Sequence, residues 1–325
     1  MQASTLAQEL NIIIHIQFFI NTKKMELAPV VIFAYHRVFH FQKTLEALEK
    51  NDLANQSMVY IFLDKSDKNI AIKNIINNKK WSFKTLELIE REKNIGLADN
   101  IIDGVTKIIQ KYKKIIVLED DLLTSPYFLT YMNDALVFYA DNPKIMHISG
   151  YTYPLNIAIK EDTFFYNVPS SWGWATWERA WNYFEEDIEK RWKSLSKQQQ
   201  FHFDIEGSNV YLSQIEMNLN NQRKTWAVRW YLSIFLANGY VLYPKVSLVQ
   251  NIGFDNSGES KVTVNQYFIP KLAQKIEIKS IPLQQNLKFR KKLNYFYKYG
   301  GVSSIFFWRY YYYRYSNFIK KILKK

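Results

Sequence analysis

The chain has 325 residues, 48% of them hydrophobic and 22% charged, which is enough apolar content for a full core and too much for a disordered chain. It holds no cysteine, which excludes disulfides and zinc–thiolate sites, and its histidines include no HExxH pattern. The net charge of +13 is lopsided: twelve cations and no acid follow Glu277, so the body before it is close to neutral and nucleic acid is not an expected partner.

Residues 1–24 carry an apolar run too short to span a bilayer, with no basic start and no small-residue cleavage site. They read as a dispensable extension, with a short interfacial anchor as the rival. From there the pattern alternates. Apolar runs at 29–35, 58–63, 85–89, 115–118 and 145–149 read as strands, and periodic segments at 41–50, 69–77, 97–112 and 126–139 as the helices between them. Such alternation argues for an α/β fold with a mostly parallel, Rossmann-like sheet flanked by helices, its polar loops gathered on one edge. Past Gly150 the rhythm gives way to aromatic loops around Ser171-Trp172-Gly173-Trp174-Ala175-Thr176-Trp177. Helices at 210–220 and 226–238 and strands at 240–243 and 246–249 come next, and residues 278–325 read as a separate basic, aromatic tail.

The strand at 115–118 ends in Glu119-Asp120-Asp121. Three adjacent carboxylates at the carboxyl end of a buried strand sit where open α/β sheets bind ligands. Their mutual repulsion is relieved most simply by a divalent cation shared with substrate phosphates. The same residues also suit an acidic loop in which Asp121 or Ser125 caps the next helix.

Several segments, in order, resemble GT-A-fold glycosyltransferases, in particular the N-acetylglucosaminyltransferase I type and related bacterial surface-polysaccharide enzymes. Val117-Leu118-Glu119-Asp120-Asp121-Leu122 resembles their acidic metal motif, and Phe33-Ala34-Tyr35-His36-Arg37 their first strand and nucleotide-facing loop. Asn94-Ile95-Gly96-Leu97-Ala98-Asp99-Asn100 is similar to a common Asn-x-Gly segment. The tryptophan segment, Trp226-Ala227-Val228-Arg229-Trp230 and Gln250-Asn251-Ile252-Gly253-Phe254-Asp255 look like the bacterial branch. The likeness spans about residues 29–260.

The resemblance implies a GT-A fold in which residues 25–150 bind a nucleotide sugar and 151–277 form an aromatic-rich acceptor and catalytic half of the same domain. It implies metal-dependent, inverting transfer from a nucleotide-diphosphate donor such as a UDP-sugar to a surface glycan or lipid-linked acceptor, with Mn²⁺ or Mg²⁺ as cofactor. Asp121 would be the metal ligand, with Glu119 and Asp120 orienting the ribose and donor sugar. Arg37 would lie near the base or phosphates and Asp64 on the uracil or ribose, with Arg91, Asn94, Gly96, Asn100 and Tyr151 as further donor contacts. Trp172, Gly173 and Trp174 would wall the acceptor or donor sugar. Each has a plainer reading: Arg37 as a helix-start cation, Asp64 as a turn residue, the tryptophans as core. The catalytic base that relatives carry in a Trp-Asp segment is absent here, where Ala227 follows Trp226. Asp255 is the first substitute, then Glu178 and Asp187. Relatives tend to carry a histidine after the Gly253 loop, where this chain has Glu259-Ser260.

Basic residues among aromatics in 278–325 can be read as a single-stranded nucleic-acid binder or as a helical appendage packing its aromatics on the body. They best suit attachment to an anionic membrane, each cation adding about 1 kcal/mol, at the cytoplasmic, inner face of a cell membrane. Two rivals remain. One is a membrane-active or adhesion protein working through the tail; the other is a Mg-dependent nucleotidyltransferase, for which no Gly-rich phosphate loop with a following lysine is present.

Overall fold

The computed structural model describes residues 26–255, 257 and 265–299. The expected extension, Glu259-Ser260 and the tail from 300 onward lie outside the described residues. The first half runs β1 (Val30–Ala34), α1 (Val38–Glu49), β2 (Met58–Leu63), α2 (Asn69–Asn77), β3 (Thr85–Glu90), α3 (Leu97–Tyr112), β4 (Lys114–Glu119), β5 (Leu122–Thr124), α4 (Phe128–Phe138) and β6 (Ile145–Ser149). The second continues with β7 (Thr163–Tyr166), β8 (Trp174–Trp177), α5 (Glu178–Trp181), α6 (Ile188–Lys193), α7 (Lys197–Phe203), α8 (Val210–Leu219), α9 (Trp226–Leu236), β9 (Tyr240–Pro244), β10 (Val249–Asn251) and α10 (Leu287–Tyr299).

The near-continuous apolar runs of β1, β2 and β4 are those of strands covered on both faces, and all three are buried along almost their whole length. Alternate residues serve two cores. Val31, Phe33 and Val117 face α3 and the aromatic helices, while Val30, Ile32 and Leu118 face α1 and α4. Eight strands form one sheet in the order β3-β2-β1-β4-β8-β6-β9-β7. β1 to β4 pair in parallel, β8 runs antiparallel between β4 and β6, β9 is parallel to β6, and β7 closes the edge antiparallel. The sheet is therefore mostly parallel and flanked by helices, as the alternation implied.

Three differences from the sequence reading matter. The tryptophan segment is largely a central strand: β8 carries Trp174 to Trp177 through the middle of the sheet, and Trp174 is fully buried. The last strand lies at Val249–Asn251 rather than 246–249; Gln250 and Asn251 are polar but buried, which hides them from an apolar pattern. The tail expected to stand apart from residue 278 is in part body. Helix α10 buries Phe289, Leu293 and Phe296 against Tyr153, Phe164, Tyr166 and Tyr243. Its three apolar residues recur at helical spacing, so the core claims it despite its basic composition. Among the described residues no helix is long and apolar enough to cross a membrane.

Candidate ligand crevice and a second cavity

Strand order reverses at β1: β2 lies on one side and β4 on the other, so the loops after β1 and β4 flank a topological switch point. Arg37 follows β1, and Glu119-Asp120-Asp121 end β4. These residues, with Asp64, Asn94, Gly96 and Asn100, line one cavity of about 270 Å³. Arg37 Nη1 donates to Asp121 Oδ2 at 2.5 Å, and the backbone N–H of Tyr35 donates to Asp120 Oδ2 at 3.2 Å. Thr44 on α1 clamps the acidic turn, donating to the Asp120 carbonyl and accepting from the Leu122 N–H. Burial, then the neighbouring Asp121 charge, pushes the Asp120 carboxyl up to about 7. Burial likewise raises Asp121, against the pull of the Arg37 guanidinium.

The loop after β10 closes the site. β10 pairs antiparallel with β5, and the Ile252 N–H donates to the Asp121 carbonyl at 2.9 Å. A Cβ on Gly253 would overlap both Asp121 Oδ2 and Arg37 Nη1, so only glycine lets this backbone lie against the pair. Two residues on, Asp255 Oδ2 lies 3.1 Å from His40 Nε2. Hydrogen bonds from Ser257 hold the Asp255 carboxyl below its ordinary range. Gly253, His40 and Thr44 escaped the sequence reading. Gly253 stood inside a quoted segment, but its closeness to Asp121 follows only from the β5–β10 pairing.

Asp64 is buried, and its two oxygens accept from the N–H groups of Lys65, Ile95 and Gly96. It builds the crevice by fixing the 94–96 turn, where Gly96 adopts φ +82° before α3. Asn94 accepts from the Gly96 N–H and donates to the Tyr35 hydroxyl. Arg91 is turned inward: it pairs with Asp103 at 2.6 Å and meets the crevice lining at Asn100, whose side-chain oxygen accepts from its Nε. Tyr151 is fully buried behind Trp172, its hydroxyl donating to the Tyr267 carbonyl. Glu178 pairs with Lys113 beside Trp177, which registers with Lys114 at the start of β4; this is the sheet edge opposite the acids. Asp187 caps α6 by accepting from the Lys190 N–H. Glu178 and Asp187 are thus committed elsewhere and do not face the crevice.

The three tryptophan-segment residues part company. Trp174 stacks between His147 and Trp226, and Gly173 is packed against Val249 and Phe128. Trp172 alone reaches open space, on the wall of a second cavity of about 350 Å³. Tyr153, Tyr211, Trp226, Tyr267 and Tyr297 line it, as do Phe254 and Ala227. Phe254 follows Gly253 directly, so one short segment touches the Arg37–Asp121 pair at Gly253 and lines the second cavity at Phe254.

The crevice carboxylates fit a hard divalent cation. Asp120 and Asp121 are desolvated and pushed toward protonation, and the Arg37 guanidinium offsets them. Among the described residues no group of three His, Cys, Asp or Glu side chains forms a cage by itself, so part of the ion's shell would come from a ligand's oxygens.

Fold and crevice together define an open α/β protein with a cation-compatible ligand site at its switch point. No family model and no curated protein matches the chain. Among solved structures, it is similar to the mannosyltransferase PcManGT from Pyrobaculum calidifontis in complex with GDP-Man and Mn²⁺. That likeness has 9% identity and a TM-score of 0.37, over 69% of this chain and 76% of that one. It is also similar to S. aureus TarS 1-349 in complex with UDP-GlcNAc, at 15% identity and TM-score 0.31 over 42% of this chain and 38% of that one. GalNAc-T7 with UDP, GalNAc and Mn²⁺ matches at 10% identity and TM-score 0.43, over 68% of this chain and 43% of that one. The matched region spans less than half of each of the last two chains. Likeness this distant carries no chemistry; the residues must supply it.

Proposed function

We propose that the protein is a metal-dependent glycosyltransferase that moves a sugar from a nucleoside-diphosphate donor, with UDP-sugars the first to test, to a glycan acceptor. One observation carries this reading: Glu119, Asp120, Asp121 and Arg37 flank the β1/β4 switch point in one cavity, closed by Gly253. Asp121, helped by Glu119 and Asp120, would hold Mg²⁺ or Mn²⁺. The ion supplies neutralisation of the charge that builds on a diphosphate leaving group. Arg37 adds a planar donor for phosphate oxygens. The Asp64-held turn shapes the floor on the nucleoside side. Asp255, paired with His40 and half exposed, is the carboxylate assigned to accept the proton of the attacking hydroxyl. Its depressed pKa keeps it ionised throughout the neutral range.

The finer reading is a surface or lipid-linked glycan acceptor met at the cytoplasmic face of a membrane, with the basic residues after Tyr299 as the attachment. A protein acting only through its tail is disfavoured by α10, whose buried aromatics tie it to the body.

The test is a donor screen with Mn²⁺ that follows nucleoside diphosphate release by chromatography. Asp121→Asn is expected to lower turnover on the order of a thousandfold, with its circular dichroism unchanged. Full turnover in that variant, or pyrophosphate as the product, sinks the proposal.

A further inference from the structure

The described walls of the second cavity carry no fixed charge. Among the described residues that line it there is no Asp, Glu, Lys or Arg. Its titratable groups are tyrosines and one histidine. Burial raises the hydroxyls of Tyr153, Tyr211, Tyr267 and Tyr297, so they stay protonated. His147 is fully buried; its Nδ1 accepts from Trp230 Nε1 at 3.0 Å, which leaves Nε2 to donate to the Ser170 carbonyl at 3.1 Å. Both ring nitrogens are thereby used by the neutral form, and burial lowers its pKa to about 3. Helix α9 gives the cavity Trp226, Ala227, Val228, Trp230 and Tyr231, all uncharged.

We infer that this cavity receives the acceptor and admits only an uncharged sugar ring. The inference rests on the transferase reading for the cavity's role, while the choice among sugars comes from its walls alone. Aromatic faces such as Trp172 and Tyr267 suit the C–H faces of a pyranose, and Ser170, Ser171 and Gln214 supply hydrogen bonds to its hydroxyls. A uronate, sialate or phosphate would be desolvated here without a cation to pair it, and a protonated amino sugar without an acid. Volume fits as well, since about 350 Å³ lies within the range of small-ligand sites.

The experiment is equilibrium binding to the full chain, read by tryptophan fluorescence and saturation-transfer NMR, with no donor present. The probes are neutral oligosaccharides (cellobiose, chitobiose, lactose, a mannobiose) and counterparts bearing a uronate, a sialate, a phosphate or a free amine. Neutral members are expected to bind, and Trp172→Ala to weaken them roughly tenfold or more. Gln214→Lys is expected to lose neutral binding and gain the uronate-bearing probe, a switch that a folding defect would not produce. UDP titrated with Mn²⁺ reports the crevice separately, so failure there strikes the transferase reading and leaves the cavity result standing. Charged probes binding the wild type as well as neutral ones, no probe binding at all, or Gln214→Lys leaving the preference unchanged would each overturn the inference.

Discussion

The crevice at the β1/β4 switch point is lined by Arg37, Asp64, Glu119, Asp120 and Asp121, whereas the cavity beyond Phe254 has no Asp, Glu, Lys or Arg among its described lining residues. The two differ in origin as well as in charge. Strand ends build the crevice: parallel strands deliver their following loops to one edge, and the polar residues there collect whether or not they like one another. Helices supply much of the second cavity, Tyr211 from α8, Ala227 from α9 and Tyr297 from α10, and share its wall with Trp172. The crevice costs stability, as the raised Asp120 carboxyl records. The aromatic cavity is continuous with the core and adds to stability, since the rings that wall it also pack on one another.

The strongest way to break this contrast is to remove the helix that both stabilises and lines. A chain ending at Asn286 loses Phe289, Leu293 and Phe296, each buried, at about 2–5 kcal/mol apiece. That rivals the whole stability of a typical domain, so this chain is expected to be insoluble or unfolded. A chain ending at Tyr299 keeps every described contact and should melt within a few degrees of the full protein. It should also lose sedimentation with anionic vesicles, the role proposed for the residues beyond it. Scanning fluorimetry and vesicle co-sedimentation on the two chains decide. A stable chain ending at Asn286 would show that α10 is no part of the body.

A smaller change tests the crevice alone. Gly253→Ala sets a methyl group against both Asp121 and Arg37, so either the loop lifts or the ion pair breaks. The expected result is a loss of roughly a hundredfold in UDP affinity with Mn²⁺, with neutral-glycan binding in the aromatic cavity reduced far less. Calorimetry with each ligand reads both. Equal losses at the two sites would mean that Ile252-Gly253-Phe254 does not insulate them.

How far the sequence revealed these regions depends on how each is built. The crevice was legible because it is made of short apolar strands and the polar residues at their carboxyl ends: Arg37 after β1, Asp64 after β2, Glu119-Asp120-Asp121 at the end of β4. The aromatic cavity was legible only through Trp172. Trp174, two residues away, is core: it opens strand β8 after the left-handed turn at Gly173 and stacks between His147 and Trp226. Tyr153, Tyr211 and Tyr297 come from positions far apart in the chain, and no local pattern marks their meeting. Arg91, Glu178 and Asp187 looked available by type, and the structure gives each a nearer partner in Asp103, Lys113 and the Lys190 N–H.

The smallest expected effect separates the two regions by the direction in which they titrate. His147, at about 3 in the fold against 6.5 unfolded, binds its proton more readily when the chain is open. Its contribution is therefore complete above pH 6.5 and lost as the pH falls toward 3. Asp120 runs the other way: held at about 7 in the fold against 3.8 unfolded, it favours the folded state at acid pH and loses that contribution as the pH rises toward 7. Urea unfolding at pH 7 and pH 4.5, compared between wild type and His147→Gln, isolates the cavity, because the Asp120 contribution is common to both chains and cancels. The wild type is expected to lose on the order of 2 kcal/mol more than the variant between these two pH values. At pH 7 the variant starts about 1–3 kcal/mol lower, since the Trp230 N–H then loses its ring acceptor. Parallel acid limbs in the two chains would mean that His147 is charged in the fold. The wall of the aromatic cavity would then not be neutral at acid pH, and its selectivity for uncharged sugars would have to fade there.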